Sequence, residues 1–394
     1  MILTPYDEIN HRLEYFRKSM NQVGFDSAII FQNVDLFYYT GTIQNGALYV
    51  PSQGEPLFMV IKNIERAKIE SPIQKIVPLR NLSRIIDTLV ENQYPLPKKL
   101  GVEMDVVPAR LYERIKTSFG CEISDISIDI RWQRSRKSDF ELKMLEKAAK
   151  IVKKAFETVR ENLKEGITET ELSAIIEYNM RANGHQGVIR LRAFGMELYA
   201  IHLAFGIDAA SPGHFDGPVG VKGLYPAAPQ IGGNTKLKAG VPVMADIVAG
   251  YGGYVVDCTR TFALKKLDDK FLKTYNDVLK LNHEIIKQLK PGAIPSEIYV
   301  RAVELASQMG YAESFMASGQ NQVKFVGHGI GLEVDEFPVL AKGFNNPIEV
   351  GNTLAVEPKI IPKNIGGVGV ENTYYVDKNG ARNITNSPMD LMIV

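Results

Sequence analysis

The sequence predicts a two-domain α/β protein of the α+β kind, in which a smaller N-terminal domain precedes a larger domain built from two similar halves. The chain has 394 residues, which is more than a single hydrophobic core usually holds. Helix-like and strand-like patterns alternate over the first third of the chain, and a helix–turn–helix pattern occurs twice in the remainder. We predict domains at residues 1–135 and 136–394.

The N-terminal domain reads as alternating helices and strands. Apolar residues recur at helical spacing over 12–24 and stop at a glycine, and a short apolar run over 27–31 predicts a strand. Residues 47–50 and 57–60 flank a loop with Pro and Gly and predict a hairpin, and a further strand is predicted over 99–104. This region has no cluster of reactive side chains, so we expect a structural or oligomeric role.

A charged stretch at 131–137 leads into a long helix predicted over 140–162. We interpret these charges as a solvated helix entrance. They lie at the start of the larger domain, close to the predicted boundary.

The larger domain contains a weak internal repeat. Leu-Lys-Glu-Gly ending at Gly166 recurs as Leu-Lys-Pro-Gly ending at Gly292, and Gly184 matches Gly310 at the same offset. Each copy reads as a helix, a turn, a second helix and a closing glycine, followed by strand-rich sequence. The repeat predicts two related α/β halves around a pseudo-twofold axis, with a cleft between them.

The composition excludes several classes of function. Lys and Arg number 46 against 45 Asp and Glu, a formal net charge of +1, so there is no basic footprint for nucleic acid or a membrane surface. No apolar stretch is long enough to span a bilayer, and the N-terminus lacks the apolar run of a secretory signal. Cys121 and Cys258 lie far apart without metal-type spacing, which favours a reducing compartment. We therefore expect a cytoplasmic protein that acts on a small substrate.

A pair of aspartates flanks a glycine-rich turn. If Ala249 pairs with Tyr254 across a four-residue loop, Asp246 lies opposite Asp257 on one face of a β-hairpin. Carboxylates this close repel each other unless they bind a cation, share a proton or face solvent, and their apolar neighbours argue against solvent. Strand alternation turns Cys258 to the opposite face, where we expect it to be packed and unreactive.

The same arrangement returns near the C-terminus. Glu357 and Glu371 flank a turn, and mirror pairing about Asn364 places them opposite each other. One acidic pair alone is more often a surface hairpin than a ligand set, but a second pair is hard to explain as coincidence. His328 lies between the two pairs. A lone histidine in an apolar run is usually a core residue, yet its flanking glycines allow close backbone approach and favour a ligand.

We call these residues the ligand set: Asp246, Asp257, His328, Glu357 and Glu371. Its four carboxylates carry a charge of −4, which matches two divalent metal ions. Oxygen ligands with one nitrogen suit Mn, Co, Fe or Zn, and no thiolate selects a softer ion. Two such ions about 3.5–4 Å apart can activate a bridging water at neutral pH and polarise a carbonyl. Glu357 is our candidate catalytic residue for carrying the proton to the leaving nitrogen.

At these positions the chain resembles the metallopeptidase family of pita-bread fold, which includes methionine aminopeptidases, prolidases, Xaa-Pro aminopeptidases and creatinase. The segments DIVAGYGGYVVDCTRTF, GHGIGL, VEP and GVGVEN carry the resemblance, and the ligand set matches every metal-ligand position of the family. Residues 17–41 are similar to the N-terminal domain of the prolidase and creatinase branch. The resemblance implies a creatinase-like N-terminal domain, a pita-bread domain, bound metal ions and a homodimer.

The chain departs from the family pattern where substrate is contacted. The histidine that precedes the first ligand in peptidase members is absent from Pro-Ala-Ala-Pro229-Gln230. Asp335 stands where a second histidine usually follows GHGIGL, and we take it as a candidate substrate contact. Gly369 stands where proline-binding members often carry arginine. Proline specificity is therefore left open.

Replacement contacts are expected from the segment that leads into the first hairpin. His214, in Pro-Gly-His-Phe-Asp-Gly, is our candidate catalytic histidine, and His202 is a candidate substrate contact. Arg190 and Arg192 are candidates for binding a substrate carboxylate through paired N–H donors. The alternative, weighed equally, is that these arginines are surface charges and that His202, like His185, is structural.

The sequence thus predicts a metal-dependent hydrolase of an amide bond in a dipeptide or short peptide, prolidase- or Xaa-Pro-aminopeptidase-like in the broad sense. A creatinase-like hydrolase of a small non-peptide amide is the alternative among enzymes, because the histidine and arginine of the peptidase members are missing. A non-catalytic binding protein that retains the fold is the third hypothesis, and the intact ligand set argues against it.

Overall fold

The computed structural model describes residues 1–227 and 231–394, and the chain divides into two compact units, Met1–Gln133 and Arg134–Val394. The observed division falls at Gln133, close to the predicted end of the first domain at residue 135. Pro229 and Gln230, where a histidine is missing from the family pattern, lie outside the described residues.

The first unit is a mixed sheet with helices between its strands. Its helices are α1 (Tyr6–Gln22), α2 (Asn33–Thr40), α3 (Ile64–Glu70), α4 (Ile85–Glu91), α5 (Ala109–Phe119) and α6 (Ser127–Ser135), the last two residues of which belong to the second unit. Its strands are β1 (Ser27–Ile30), β2 (Gly46–Pro51), β3 (Leu57–Val60), β4 (Ile76–Pro78), β5 (Lys99–Val102) and β6 (Glu122–Asp125). They lie in the order β4-β3-β2-β1-β5-β6.

The predicted strands and hairpin of this unit are confirmed. β2 and β3 pair antiparallel, β1 pairs antiparallel with β2 and parallel with β5, and every residue of β1, β2 and β3 is buried. The first helix begins at Tyr6, well before the predicted residue 12. The reason is that Asp7 and Glu8 lie in its first turn, where negative charge stabilises the helix N-terminus.

The second unit contains the remaining elements. Its helices are α7 (Asp139–Asn162), α8 (Glu169–Ala182), α9 (Asp269–Gln288) and α10 (Pro295–Gln308). Its strands are β7 (Ile201–Phe205), β8 (Pro242–Tyr251), β9 (Tyr254–Ala263), β10 (Phe325–Ile330), β11 (Val334–Ala341), β12 (Thr353–Val356), β13 (Lys359–Ile360), β14 (Val368–Gly369), β15 (Asn372–Asp377), β16 (Gly380–Asn383) and β17 (Met392–Ile393). They form sheets of order β17-β9-β8-β7 and β11-β10-β12-β15-β16 and the ribbon β13-β14.

The internal repeat is visible in this element order, because a helix pair followed by strands occurs twice. The matched glycines adopt the left-handed conformation in both copies, with φ of 84° at Gly166, 87° at Gly292, 96° at Gly184 and 86° at Gly310. Residues with a Cβ rarely adopt this conformation, which explains why glycine recurs at these positions. Along the described part of the chain, no helix has the length and apolar character needed to cross a bilayer.

The charged stretch before α7 is not a solvated entrance, so that interpretation was wrong. The side chain of Arg134 is 2% exposed, and its Nη2 lies 2.7 Å from Glu333 and 2.5 Å from Glu336. Lys137 Nζ lies 2.7 Å from the second oxygen of Glu336. These cations are buried because they neutralise carboxylates at the turn between β10 and β11.

Candidate metal centre

The first acidic pair lies on the β8–β9 hairpin, which closes more tightly than predicted. Tyr251 pairs with Tyr254 across Gly252 and Gly253, whose φ angles are 60° and 95°. Two consecutive residues with positive φ close a two-residue hairpin turn whose twist suits the flanking strands. The predicted four-residue loop, with Ala249 opposite Tyr254, was therefore wrong.

The tighter turn changes the register of the pair but not its face. Asp246 lies opposite Thr259, and Asp257 lies opposite Val248. Since the register moves by two residues and side chains alternate every residue, both aspartates still point to the same side of the ribbon. They are diagonal neighbours rather than direct partners.

The second acidic pair has the predicted register. Val356 pairs with Asn372, and Lys359 pairs with Gly369. Continuing the ladder between these pairs places Glu357 opposite Glu371, as mirror pairing about residue 364 requires.

His328 lies on β10, between β11 and β12, with its Cα opposite that of Ala355. A Cβ added to Gly327 would lie 2.5 Å from the carbonyl oxygen of Ala355, and one added to Gly329 would lie 2.2 Å from that of Phe337. The neighbouring backbone is too close for any other residue, so the flanking glycines allow the close approach inferred from the sequence.

All members of the ligand set line one cavity of about 50 Å³. Asp257, His328 and Glu371 each offer a ligand atom, and these atoms lie within 4.8 Å of one another. His328 Nε2 is 3.7 Å from Glu357 Oε1. Oδ1 of Asp257 and Oε1 of Glu371 are buried and have no hydrogen-bond partner among the described residues, although buried polar atoms nearly always have one.

Sequence reasoning missed Lys359, whose ammonium contacts three members of the ligand set. Its side chain is 1% exposed, and Nζ lies 3.0 Å from Asp246 Oδ2, 2.7 Å from Glu357 Oε2 and 2.9 Å from Glu371 Oε2. Its position two residues after Glu357 could have indicated this contact, since residues 357 and 359 point to the same face of an extended chain. The predicted charge balance of −4 omitted this cation.

Lys359 and Asp246 stabilise each other's charge. Burial alone would lower the pKa of Lys359, but the charges of Asp246, Glu357 and Glu371 raise it well above its usual value. Burial alone would raise the pKa of Asp246, but the charge of Lys359 lowers it. These carboxylates thus favour the protonated, charged form of Lys359.

Lys359 does not balance the negative charge of the whole ligand set. Burial and the carboxylates of Glu371 and Asp246 raise the pKa of Asp257 well above its usual value. Burial raises the pKa of Glu371 to about 7, despite the opposing charge of Lys359. These carboxyl groups favour a proton or a further cation beside them.

The donor set fits one divalent cation. Asp257, His328 and Glu371 supply two oxygens and one nitrogen, ligands that divalent transition metals accept at about 2.0–2.2 Å. Asp257 and Glu371 each have one oxygen without a hydrogen-bond partner among the described residues, and these oxygens are free to bind the cation. Asp246 and Glu357 are each bonded to Lys359 instead.

Two candidate substrate contacts lie in the same cavity. His202 on β7 pairs with Asp246, and its Nε2 is buried without a hydrogen-bond partner among the described residues. Asp335 is partly exposed at 43%, and its Oδ1 lies 3.4 Å from His328 Nδ1. The charge of Asp335 raises the pKa of His328, although burial alone would lower it.

The other candidates lie elsewhere. His214 is exposed and lines a wider cavity of about 1210 Å³. Arg190 and Arg192 are half-buried and are not among the residues that line either cavity. His185 is buried, and its Nδ1 accepts a hydrogen bond from the backbone N–H of Gly250, which is a structural role.

Cys258 is buried on the opposite face from Asp257, as predicted. Its thiol donates to the carbonyl oxygen of Glu371 at 3.1 Å. Burial raises the pKa of Cys258 to about 11. Burial and a high pKa both disfavour the reactive thiolate form of Cys258.

Buried carboxylates from two β-ribbons and the imidazole of His328 on β10 converge on one cavity, an arrangement typical of a metal-dependent hydrolase. The chain matches metallopeptidase family M24 over residues 143–378 and the creatinase/prolidase N-terminal domain over residues 12–136. It therefore belongs to metallopeptidase family M24 and is a metal-dependent enzyme that hydrolyses peptide bonds. The predicted fold class, a creatinase-like N-terminal domain followed by a pita-bread domain, is confirmed.

Relatives match the chain from end to end. An Xaa-Pro dipeptidase of Pyrococcus horikoshii is 26% identical over 390 residues, which cover 98% of this chain and 100% of that protein. The structure of an Xaa-Pro dipeptidase from Bacillus anthracis has a TM-score of 0.83 at 27% identity and covers 98% of this chain and 100% of its own. A prolidase structure from Pyrococcus horikoshii has a TM-score of 0.81 at 25% identity, with coverages of 97% and 100%.

Proposed function

We propose that this protein is a dipeptidase whose substrates include Xaa-Pro dipeptides. The observation that carries the proposal is that the whole ligand set lines one cavity. Relatives called Xaa-Pro dipeptidase, matched over nearly their full length, support the substrate class. Because Gly369 offers no side chain to a substrate carboxylate, we expect proline to be accepted but not required.

The two cavities suit a small substrate. Phe215, Asp216 and Phe325 line both of them, so the wide outer cavity adjoins the inner one. The inner cavity, at about 50 Å³, has room for the reacting atoms, and the outer one, at about 1210 Å³, has room for the rest of a short peptide. We propose that His214 contacts this outer part of the substrate rather than the reacting bond.

We propose Mn, Co, Zn or Fe as the bound metal, held by Asp257, His328 and Glu371. A divalent ion there supplies Lewis-acid polarisation and lowers the pKa of water towards neutrality. Glu357 Oε2 is bonded to Lys359. Its Oε1 is therefore the atom that we propose accepts the proton of the attacking water and delivers it to the leaving nitrogen.

Two further residues are proposed to contact the substrate. His202 lines the inner cavity with an unpartnered Nε2, and a hydrogen bond from it would stabilise the negative charge that develops on the scissile carbonyl oxygen. The partly exposed carboxylate of Asp335 suits the free amino group of a dipeptide.

We also propose that the protein is cytoplasmic and acts as a homodimer. The free thiols of Cys121 and Cys258 agree with a reducing compartment. The family resemblance implies the dimer, and light scattering on the purified protein measures its mass. A mass equal to one chain would contradict the dimer.

The substrate proposal is tested with a panel of dipeptides. Protein stripped of metal by chelation is reloaded with Mn²⁺, Co²⁺ or Zn²⁺ and incubated with Xaa-Pro dipeptides, other dipeptides and a small non-peptide amide. We expect hydrolysis of dipeptides with and without proline, and none in the chelated protein. Turnover of only the non-peptide amide, or of no substrate with any ion, would overturn the proposal.

A further inference from the structure

Lys359 lies beside three of the five members of the ligand set. Its Nζ is within 3.0 Å of Asp246, 2.7 Å of Glu357 and 2.9 Å of Glu371. An ammonium group has three N–H donors, and each of them has a carboxylate oxygen to bond. The ammonium is thus saturated by the same carboxylates that would hold a metal ion.

The fold makes room for this side chain. Lys359 on β13 lies opposite Gly369 on β14. A Cβ added to Gly369 would lie 2.4 Å from Lys359 Cγ, closer than unbonded carbon atoms approach. Any larger residue at 369 would therefore displace the lysine stem, so glycine at 369 and lysine at 359 act as a pair.

The ligand set is then divided between two cations of different kinds. Asp246 and Glu357 are bonded to the ammonium, whereas Asp257 and Glu371 each keep one buried oxygen without a partner among the described residues. Asp257, Glu371 and His328 each offer a ligand atom, and these atoms lie within 4.8 Å of one another. Glu371 serves both sides, because its other oxygen lies 2.9 Å from Nζ.

A second divalent ion cannot share the position of the ammonium. A metal bonded to Asp246 and Glu357 would lie about 2.0–2.2 Å from their oxygens. Nζ is already within 3.0 Å and 2.7 Å of those oxygens, so the two positive charges would lie almost in contact in a buried site, where their repulsion is strong.

We propose that Lys359 replaces one of the two metal ions expected for this ligand set, so that the protein binds a single divalent ion through Asp257, His328 and Glu371. The inference rests on the proposed function, which places a divalent ion in this cavity. It accounts for the presence of Gly369 where proline-binding members of the family often carry arginine, since the lysine stem occupies the space above that position.

The test is the number of metal ions bound by each chain. Protein stripped by chelation is saturated with Mn²⁺, passed through a desalting column and analysed by elemental mass spectrometry, and the same measurement is made with Co²⁺. We expect one ion per chain in the natural protein and two in Lys359→Met, which keeps the length of the stem but lacks the charge. Lys378→Met, at an exposed turn, is the matched control and should bind one.

A ratio of two in the natural protein, or of one in well-folded Lys359→Met, would overturn the inference. If the variant does not fold, a crystal of the natural protein grown with Mn²⁺ decides the matter. One anomalous peak beside His328, with Nζ still bonded to Asp246, supports the inference, and two peaks overturn it.

Dipeptide hydrolysis, measured on the same samples, separates this inference from the proposed function. A ratio of two with hydrolysis means that the function stands and the inference falls. A ratio of one without hydrolysis means that the inference stands and the proposed function falls. A ratio of zero overturns both.

Discussion

Asp257 is the residue at which the charge of the site is least balanced. It lies diagonal to Asp246 on the ribbon, and Lys359 bonds to Asp246 but not to it. Its Oδ1 is buried without a hydrogen-bond partner in the part of the chain that the structure describes. A carboxylate in this state is strongly favoured to bind a cation, and the account of the site depends on it.

We expect Asp257→Asn to weaken metal binding by at least ~100-fold and to reduce peptide hydrolysis in parallel. A neutral amide cannot replace a charged ligand, and even residues that only orient a ligand are worth about 10–100-fold. Calorimetric titration with Mn²⁺ and the value of kcat/KM check both effects. Asp390→Asn, at an exposed position, should behave as the natural protein does. Unchanged metal affinity in Asp257→Asn would contradict the assigned ligands.

His202 should affect the reaction without affecting the metal. If its Nε2 stabilises the developing charge on the carbonyl oxygen, His202→Ala should lower kcat by roughly 10²–10³-fold while the metal content stays the same. The matched control is His283→Ala on the exposed side of α9. A fall in metal content together with activity, or no change in kcat, would show that His202 does not have this role.

The face on which a strand residue lies was predictable, because side chains alternate between the two faces of a strand. Asp246 and Asp257 share a face whichever even shift the hairpin adopts, so the prediction survived an incorrect loop length. The partner of Asp246 was not predictable, because the register depends on how Gly252 and Gly253 close the turn. Lys359 likewise lies on the same face as Glu357, two residues earlier, but its ammonium reaches the carboxylates only because Gly369 leaves space.

Among the elements, the turn between β10 and β11 is stabilised by buried ion pairs. Glu336 accepts hydrogen bonds from Arg134 and Lys137 and from the backbone N–H of Leu332. Burial alone would raise the pKa of Glu336, but Lys137 and Arg134 lower it to about 2. The turn follows the strand that carries His328, so its geometry also positions the metal centre.

We expect Glu336→Gln to lower the free energy of unfolding at pH 7 by about 3–5 kcal/mol, since the buried ammonium of Lys137 then loses its carboxylate partner. Urea unfolding followed by circular dichroism measures the change. Glu349→Gln, which removes one partner of an exposed pair with Arg136, is the control and should cost less than about 1 kcal/mol. If Glu336→Gln also lowered the free energy of unfolding by less than about 1 kcal/mol, the buried ion pairs would contribute no net stability.

The same group predicts a pH dependence. The pKa of Glu336 is lower in the folded protein, about 2, than its ordinary value of 4.5. The contribution of its ionised carboxylate to the free energy of unfolding is therefore complete above pH 4.5, and it is lost as the pH falls towards 2. The stability difference between the natural protein and Glu336→Gln should shrink over that window, and a constant difference would contradict the assignment.

Elements with strong local signals were predictable from the sequence. The helix pairs and their closing glycines follow from spacing and from the conformational freedom of glycine. The burial of Arg134 and Lys137 was not predictable, because their carboxylate partners are far away in the sequence. Lys137 and Glu336, for example, are separated by 199 positions. Charge alone does not distinguish a solvated stretch from a buried network.

At the scale of the whole second unit, the metal centre exists because two halves fold together. The β8–β9 ribbon follows the first helix pair, and the segments that carry His328, Glu357 and Glu371 follow the second. Neither half supplies a full set of ligands. The family and fold could be predicted because the motifs recur in order, whereas the division of the ligand set between a lysine and a metal required the structure.

The most direct test of the central claim is the dependence of dipeptide hydrolysis on added metal. Protein stripped by chelation is titrated with Mn²⁺, Co²⁺ or Zn²⁺, and the rate of peptide-bond cleavage is followed alongside that of Asp257→Asn. The account predicts no activity without metal, saturable recovery in the natural protein, and no recovery in the variant at the same concentrations. Full activity in the stripped protein, or equal recovery in Asp257→Asn, would contradict it.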